Sequence, residues 1–457
     1  MKYLSILLAS YLLVGCSEKD VAPKVIEKPK VKSVKVEKQK LEQPKLNKTK
    51  KLSVPKDLLE ISQDVKVYTD GINYSYISTQ KKFEKDYFRV WNIEKISVPL
   101  SVAKWAYGIY TPSNSYGENL KKHNAKFFKD IDKESNFKEY ATINKRAISL
   151  DNLDIRTYPT DKPVFLDPKR AGEGFPFDYM QNSTIAPNKP LFISHYSKSG
   201  EWVFVESSFA FGWVKSKDIA LIDKKYTDIW KKAKQVYITS DDKDIYADDG
   251  SFLFKSRVGM MLPLVSEDDK SYKVLTISSE HSRSIYNISK VSKEYTHLGI
   301  LSMNEKNIDK IIKGMKYTKY GWGGLFDQRD CSSTLRDFYA PFGVWLPRNS
   351  HKQSITGKVI SLDGLSDDEK LELIKSKAIP FRTLLYRKGH IVLYVGVRDD
   401  KVIVFQNMWG IKTKDGDKEG RYIVGKAVFS TLNIGEDLTN FDADKSLLSQ
   451  LKSMTKL

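Results

Sequence analysis

The stretch "DQRDCSSTLRDFYAPFG", residues 327–343, contains Cys331, one of two cysteines in the 457-residue chain. Asp330 stands directly before it, where a carboxylate caps a helix by accepting hydrogen bonds from the free N–H groups of the first turn. Leu335 and Phe338 follow at i+4 and i+7, so that one apolar side of the predicted helix packs and fixes the direction of the sulfur. The positive end of the helix dipole then favours a thiolate, the nucleophilic form of cysteine. Position alone leaves a buried core cysteine as the alternative.

A cysteine nucleophile needs a base, and "GHIVLYVGV", residues 389–397, offers one at the head of a predicted strand. His390 opens this strand, and the residues after it are apolar on both faces, which is typical of a central strand. A histidine at the mouth of a central strand is well placed beside the start of a helix that packs on the sheet. The alternative is a histidine with a purely structural role.

The base in turn needs a group that orients its ring. In "KVIVFQNMWG", residues 401–410, Gln406 is the polar residue on the face that Val402 and Val404 share. Its amide oxygen can accept a hydrogen bond from the imidazole N–H that lies away from the sulfur, and this bond fixes the tautomer. Asn407 points to the opposite face of a regular strand. The sequence leaves open which of the two amides orients the base.

The rest of the chain divides by its periodicity. Helical spacing of aromatic residues in "FEKDYFRVW" predicts a mostly helical subdomain over residues 54–146. Alternating patterns predict a small β-barrel over residues 147–226, interrupted by a long loop, "YPTDKPVFLDPKRAGEGFPFDYMQNSTIAPNKP". A similar block over residues 227–297 predicts a second barrel in tandem. Helices and strands mix again over residues 298–445, an α+β domain that holds the cysteine and the histidine, and residues 446–457 are predicted to be a C-terminal tail.

The N-terminus, "MKYLSILLASYLLVGCSEKD", predicts export. Its apolar run is too short to span a bilayer and is typical of a secretory signal. "LLVGC" resembles the lipobox of bacterial lipoproteins, which implies a signal peptide over residues 1–16 and an acylated Cys16 that anchors the chain to a membrane, facing the periplasm. Ser17 resembles the outer-membrane sorting pattern. An ordinary cleaved signal is the alternative. If Cys16 is acylated, no disulfide can form within the chain.

A Lys-rich stretch follows the signal. The formal net charge is +19, and residues 17–56 supply +8 of it through 13 Lys against 5 acidic residues. Such a composition cannot bury enough apolar surface to fold, so residues 17–53 are predicted to be a disordered tether. Nucleic acid is the usual partner of such a run, but it is not expected for a lipid-anchored exported protein. Anionic lipid heads and the acidic wall polymer are better candidates, and a solvated spacer is the simplest interpretation.

Three motifs together, "YGWGGLFDQRDCSS", "LPRNSHKQ" and "GHIVLYVG", resemble the NlpC-type cell-wall cysteine peptidases. The chain is most similar to the branch with a helical N-terminal piece, two SH3-like barrels and a papain-like α+β catalytic domain, and this multi-domain α+β architecture is the expected fold. The resemblance implies hydrolysis of the bond between γ-D-glutamate and a diamino acid in peptidoglycan stem peptides. In this branch the first barrel closes one end of the groove, which implies stems with a free N-terminal L-Ala.

The resemblance also implies roles for individual residues. Cys331 matches the nucleophile and His390 the base, while the third position, commonly histidine, is Gln406 in this chain. Asp330 matches a carboxylate that binds the free amine of L-Ala. The further substrate contacts that the resemblance implies are Tyr320 and Trp322 as groove walls, Ser332 and Ser350 as polar contacts, and Tyr179 as the closing wall from the first barrel.

The expected protein is a monomeric enzyme that needs no metal and no other cofactor. The histidines show no H-E-x-x-H or similar ligand spacing, which argues against a zinc amidase. Because the third catalytic position departs from the family pattern, a catalytically weak or inactive peptidoglycan-binding lipoprotein is the alternative function. An acyltransferase or an amidase acting on another bond is a third.

Overall fold

The computed structural model of the protein describes four stretches of chain, residues 53–74, 79–280, 283–315 and 319–457. Cys16, the predicted signal over residues 1–16 and residues 17–52 of the predicted tether lie outside the described residues. Within the described stretches, no helix has the length and apolar character needed to cross a membrane.

The N-terminal region contains only short helices, and most of it is irregular, so the prediction of a mostly helical subdomain is wrong in detail. The described elements of this region are α1 (Asp57–Glu60), α2 (Lys66–Thr69), β1 (Asn73–Tyr74), α3 (Gln80–Tyr87), α4 (Leu100–Ala103) and α5 (Ala125–Glu134). Its aromatic residues complete neighbouring cores: Phe83 and Trp91 pack with residues of both barrels, and Tyr68 packs with the C-terminal domain. The aromatic residues of this region therefore contribute to the hydrophobic cores of the barrels and of the C-terminal domain.

The first barrel is one antiparallel seven-stranded sheet in the order β4-β3-β7-β6-β5-β2-β8. Its strands are β2 (Lys145–Ser149), β3 (Leu153–Arg156), β4 (Gln181–Ile185), β5 (Pro190–Tyr196), β6 (Trp202–Ser207), β7 (Phe211–Lys215) and β8 (Ile219–Leu221). The predicted long loop therefore contains β4, which its polar sequence, QNSTI, concealed. Gln181 and Thr184 of this strand are buried because the C-terminal domain packs on them.

The second barrel follows α6 (Lys224–Lys232) and has a five-stranded sheet in the order β14-β13-β12-β9-β15, beside a separate two-stranded β10–β11 hairpin. The strands are β9 (Gln235–Ile238), β10 (Asp244–Tyr246), β11 (Phe252–Lys255), β12 (Met261–Glu267), β13 (Ser271–Glu280), β14 (Arg283–Ser292) and β15 (Thr296–Leu298). The β12–β13 hairpin is the strand–turn–strand pattern that marked the internal repeat in the sequence.

The C-terminal domain packs helices on an antiparallel six-stranded sheet in the order β17-β22-β18-β19-β20-β21. Its elements are β16 (Met303–Asn304), which pairs with β1, then α7 (Glu305–Met315), α8 (Cys331–Tyr339), α9 (Ser350–Gln353), β17 (Lys358–Ser361), α10 (Asp367–Lys377), β18 (Thr383–Arg387), β19 (His390–Arg398), β20 (Lys401–Asp415), β21 (Lys418–Thr431) and β22 (Ser453–Lys456). The prediction of a tail over residues 446–457 is wrong. Strand β22 lies between β17 and β18, with Met454 and Thr455 fully buried.

Helix α8 begins at Cys331, as predicted. Asp330 caps it through a reciprocal pair of bonds: its carboxylate accepts from the backbone N–H of Ser333 at 2.8 Å, and the Ser333 hydroxyl accepts from the backbone N–H of Asp330 at 2.9 Å. Leu335 and Phe338 pack with Cys331 in one core cluster against the sheet, which confirms the predicted apolar side.

The polar side of α8 is buried as well, against the second barrel. Asp337 is the centre of this contact: its carboxylate pairs with Arg329 at 2.7 Å, with Arg336 at 3.0 Å and with Arg257 of the second barrel at 3.2 Å. Arg329 also pairs with Asp241 of that barrel. These buried ion pairs join α8 to the second barrel. Because separating them would leave buried charges uncompensated, the network fixes the helix relative to the barrel.

Candidate active site

The thiol of Cys331 lies in the first turn of α8, 8% exposed, at the wall of a groove. The backbone N–H groups of Ile391 and Ser332 point to its sulfur. Ile391 directly follows His390 in β19, so the helix start and the strand start meet, as expected. The backbone N–H of Cys331 precedes the first intrahelical bond and has no acceptor in the described part of the chain.

The ring of His390 is held by Gln406 on the neighbouring strand. The distance from His390 Nε2 to Gln406 Oε1 is 2.8 Å. The amide Nε2 of Gln406 donates to Ser430 Oγ at 2.7 Å, and that hydroxyl donates to the Thr431 carbonyl at 2.9 Å. Because the amide nitrogen is committed to Ser430, the amide oxygen faces the ring and the ring must donate through Nε2. Nδ1 then keeps its lone pair, which is the form that a general base requires.

Asn407 is not the orienting amide. Its side chain donates to the carbonyl of Arg329 at 2.9 Å and to Thr334 Oγ1 at 3.1 Å, and it thereby ties β20 to the start of α8. The choice between Gln406 and Asn407, which the sequence left open, is thus decided by the face that each side chain occupies.

Burial makes both reactive groups neutral in the free protein. It raises the pKa of Cys331 to about 12, with the charge of Asp330 as the second cause. It lowers the pKa of His390 to about 4, with repulsion from Arg387 as the second cause. These shifts oppose the thiolate expected at the helix N-terminus, because burial disfavours a charged sulfur and the capping carboxylate offsets the helix dipole. The arrangement suits a neutral thiol whose proton passes to the imidazole during attack.

The groove beside Cys331 has a volume of about 870 Å³ and is lined by three regions, the N-terminal region, the first barrel and the C-terminal domain. Trp322 donates through its indole N–H to the carbonyl of Asp178 at 3.1 Å, and its ring lies 5.7 Å from that of Tyr179. Tyr320 also lines the groove, and burial, followed by the nearby Cys331 and Asp330, raises its pKa well above the usual range. The predicted aromatic walls, including Tyr179 from the first barrel, therefore lie together.

Glycine allows the loop of the C-terminal domain to approach the first barrel. Gly323 and Gly324 have φ angles of +60° and +91°. A Cβ on Gly324 would lie 2.3 Å from Thr184 Oγ1, and one on Gly323 would lie 2.7 Å from Gln181 Cγ. Only glycine fits these two positions, so the motif "YGWGG" attaches the groove wall to the barrel.

Asp330, expected to bind a substrate amine, is already engaged in the structure. Although burial opposes ionisation, Arg348 lowers the pKa of this carboxyl, and the two side chains pair at 2.7 Å. Arg348 also donates to Ser332 Oγ at 3.0 Å and to Ser183 Oγ of the first barrel at 2.6 Å. Ser350 lines the same groove on α9. An amine at Asp330 would have to share the carboxylate with this arginine.

Charged residues of the groove that the sequence analysis did not identify include Arg348 and Glu206. Arg348 stands inside "LPRNSHKQ" but was not singled out. Glu206 lies in β6, where all six residues are buried, and its carboxylate pairs with Arg89 at 2.8 Å and accepts from the backbone N–H of Ser97 at 2.8 Å. The sequence signal for Glu206 was its position directly after four apolar residues in the strand pattern "WVFVES".

A second, smaller cavity of about 210 Å³ is lined by His390. It shares Tyr320, Trp322 and Gly389 with the groove and is lined by Gln406. His390 lines this smaller cavity, whereas Cys331 lines the groove.

Four family models match the chain in succession. Residues 5–140 match the NLPC_P60 stabilising domain, residues 163–215 match an SH3 domain of SH3b1 type, residues 223–269 match an SH3 domain of SH3b2 type, and residues 317–418 match the NlpC/P60 family. These matches support the architecture that the resemblance implied.

Among solved structures, an NlpC/P60 endopeptidase from Photobacterium damselae subsp. piscicida has a similar fold. It is 23% identical, with a TM-score of 0.76, over 89% of this chain and 98% of that one. An NlpC/P60 family protein from Bacillus cereus is 15% identical over 68% of this chain and 99% of that one, with a TM-score of 0.46. No curated protein sequence matches the chain. The chain therefore carries an NlpC/P60 catalytic domain, of the cell-wall cysteine endopeptidase type, at residues 317–418, and this domain follows a region that matches the NLPC_P60 stabilising domain and two SH3 domains.

Proposed function

We propose that the protein hydrolyses the bond between γ-D-glutamate and the following diamino acid in peptidoglycan stem peptides, with Cys331 as nucleophile and His390 as base. The observation that carries this proposal is the hydrogen-bonded chain from His390 through Gln406 to Ser430. This chain leaves Nδ1 unprotonated beside the strand start at which the sulfur lies.

The proposed reaction starts from a neutral thiol at Cys331 and a neutral imidazole at His390. Nδ1 of His390 takes the thiol proton as the sulfur of Cys331 attacks the γ-carbonyl carbon, and the free backbone N–H of Cys331 stabilises the oxyanion. The imidazolium then gives this proton to the leaving amine, and the carbon–nitrogen bond breaks to leave a thioester. Water, deprotonated by Nδ1, attacks the thioester and releases the acid and the thiol.

We propose further that the substrate stem has a free N-terminal L-Ala. The support is the position of the first barrel, whose Tyr179 lies at the wall of the groove with its ring 5.7 Å from that of Trp322. Asp330 and Glu206 are the carboxylates near this wall, each with an arginine partner. We expect stems with an acetylated N-terminus to be cut more slowly than stems with a free amine.

The test is digestion of defined stem peptides followed by mass spectrometry of the products. We expect the wild type to give a new carboxyl terminus at D-glutamate, and Cys331→Ala to give no product. An exposed serine replaced in the same way, Ser113→Ala, serves as the matched control. A cut at another bond, or no cut by the wild type, would overturn the proposal.

A second candidate is a weak or inactive peptidoglycan-binding protein, and the neutral Gln406 at the third catalytic position favours it. Co-sedimentation with purified peptidoglycan in the absence of any cleavage would support it.

We propose that the protein is an exported lipoprotein, a monomer that an acylated Cys16 anchors to a membrane and that faces the periplasm. We expect Cys16→Ala to abolish both labelling by a fatty acid and sedimentation with membranes. Labelling that persists in this variant would contradict the anchor.

A further inference from the structure

The hydrogen bonds that orient His390 lead from Ser430 to the edge of the sheet. Strand β21, which carries Ser430, is the last strand in the sheet order, so one of its edges faces away from β20. Residues two apart in an antiparallel strand present their backbone N–H and C=O groups to the same side, and on this strand Phe429 and Thr431 present theirs to the outer edge. Ser430 lies between them and is fully buried. Such an edge needs hydrogen-bonding partners from another part of the chain.

Two side chains of the N-terminal region supply these partners. The amide of Gln63 forms two hydrogen bonds with Phe429: its Nε2 donates to the carbonyl at 2.8 Å, and its Oε1 accepts from the backbone N–H at 2.9 Å. The carboxylate of Asp57, at the start of α1, accepts from the backbone N–H of Thr431 at 2.7 Å and from the Thr431 hydroxyl at 2.8 Å. The N-terminal region therefore takes the place of a neighbouring strand on both sides of Ser430.

These contacts are removed from water. Asp57 is 8% exposed and Phe429 is 1% exposed. The ring of Tyr68, also from the N-terminal region, stacks on the ring of Phe429 with the centroids 4.8 Å apart. Hydrogen bonds to a carboxylate are stronger than those between neutral groups, and burial protects them from competition with water. The outer edge of β21 is therefore fixed at Phe429 and at Thr431.

Fixing the backbone on both sides of Ser430 also fixes the direction of its hydroxyl. Ser430 Oγ donates to the Thr431 carbonyl at 2.9 Å, so its lone pairs are left for the amide of Gln406, which donates to it at 2.7 Å. If the hydroxyl turned away, this amide would lose the acceptor that decides which of its two ends faces His390. A flipped amide presents a donor to Nε2 and moves the ring proton to Nδ1, where it blocks the base.

We propose that Asp57 and Gln63 are positioning residues for the catalytic base, through which the N-terminal region contributes to the reaction by way of Ser430 and Gln406. The inference rests on the proposed function, in which His390 is the base. Within the described part of the chain, Asp57 and Gln63 line neither the groove nor the smaller cavity, so they do not contact the substrate there. Their loss is therefore expected to lower kcat and kcat/KM equally and to leave KM unchanged.

The first test is a double-mutant cycle on stem cleavage with Asp57→Ala and Ser430→Ala. We expect each substitution to lower kcat about 2- to 10-fold, the effect of one hydrogen bond. The double variant should be no slower than Ser430→Ala alone, because Asp57 acts through Ser430. Asp57→Asn, which keeps an acceptor oxygen, should recover part of the kcat that Asp57→Ala loses. Losses that multiply in the double variant would overturn the proposal.

The matched control is Asp437→Ala. Asp437 accepts from the backbone N–H of Lys56 at 3.2 Å, so this variant also removes a contact between the N-terminal region and the C-terminal domain, but one that does not involve the strand on either side of Ser430. It should keep the wild-type kcat. Thermal unfolding is measured for every variant. If Asp57→Ala only lowers the unfolding temperature and keeps the wild-type kcat, Asp57 has a purely structural role and the proposal is wrong.

The tautomer of His390 gives a measurement that does not depend on cleavage. Long-range proton–nitrogen NMR spectra of histidine-labelled protein distinguish a ring protonated at Nε2 from one protonated at Nδ1. We expect the proton at Nε2 in the wild type and in Asp437→Ala, and a mixture of both tautomers when Asp57→Ala and Gln63→Ala are combined. An unchanged Nε2 tautomer in this double variant would overturn the positioning role, whether or not the wild type cleaves stems. Absence of cleavage by the wild type would instead count against the proposed reaction.

Discussion

Replacing Gln406 by leucine tests the role of the orienting amide. The substitution removes the acceptor of the His390 Nε2–H bond, which is 2.8 Å long and buried. The ring is then left with an unsatisfied buried donor, or its proton moves to Nδ1 and blocks the base. Loss of a partner by a buried polar group costs about 1–3 kcal/mol. At about 1.4 kcal/mol per tenfold in rate, kcat/KM for stem cleavage should fall about 5- to 150-fold.

The assay is steady-state cleavage of a stem tripeptide, with thermal unfolding measured in parallel to show that the fold is intact. Gln406→Glu is the informative companion, because it keeps the acceptor and adds a negative charge that should raise the pKa of His390 from about 4. Gln80→Leu is the matched control, since the Gln80 side chain donates to Glu84 on the same helix and lines neither the groove nor the smaller cavity. If Gln406→Leu cleaves within twofold of the wild type, Gln406 does not orient the base.

Three further predictions concern charge and packing. Repulsion from Arg387 contributes to the low pKa of His390, and the base must be unprotonated to act. Arg387→Gln should therefore shift the acid limb of the kcat/KM–pH profile to higher pH, and an unmoved limb would contradict this prediction. Gly324→Ala should destabilise the contact with the first barrel and lower kcat/KM. Gly416→Ala is the control, because Gly416 also has a positive φ (+58°) but has open space around it, and it should cause neither change. Limited proteolysis and kinetics check both variants. Asp337→Asn should destabilise the fold by about 3–5 kcal/mol in denaturant unfolding, because three guanidinium groups lose their shared partner. Burial opposes ionisation of Asp337, but these arginines keep its pKa in the folded protein well below the unfolded value. The contribution of this carboxylate to stability is therefore present above about pH 4 and is lost as the pH falls. The variant should lack this acid dependence.

Local sequence patterns were sufficient to predict the helix that begins at Cys331 and the strand that begins at His390. A capping aspartate before a cysteine, an apolar side at helical spacing and a histidine at the head of an apolar strand are each encoded within a few residues. Helix capping and strand alternation act over the same few residues, which is why the start of α8 at Cys331 and the start of β19 at His390 were predictable.

Contacts between distant parts of the chain decided the rest. Strand β4 is too polar to be recognised as a strand until the glycine loop packs on it, and β22 is recognisable only through its pairing with β17 and β18. Arg348 acquires its place by pairing with Asp330 and contacting Ser183 across a domain boundary.

The sequence by itself determined that Cys331, the proposed nucleophile, begins a helix and that His390, the proposed base, begins a strand, because propensity, capping and periodicity are properties of neighbouring residues. Only the tertiary structure decided that burial shifts the pKa values of the thiol and the imidazole toward their neutral forms, that Gln406 rather than Asn407 contacts the ring, and that Arg387 and Arg421 line one cavity with His390. Desolvation and charge pairing depend on which surfaces meet, and residues far apart in the chain supply those surfaces.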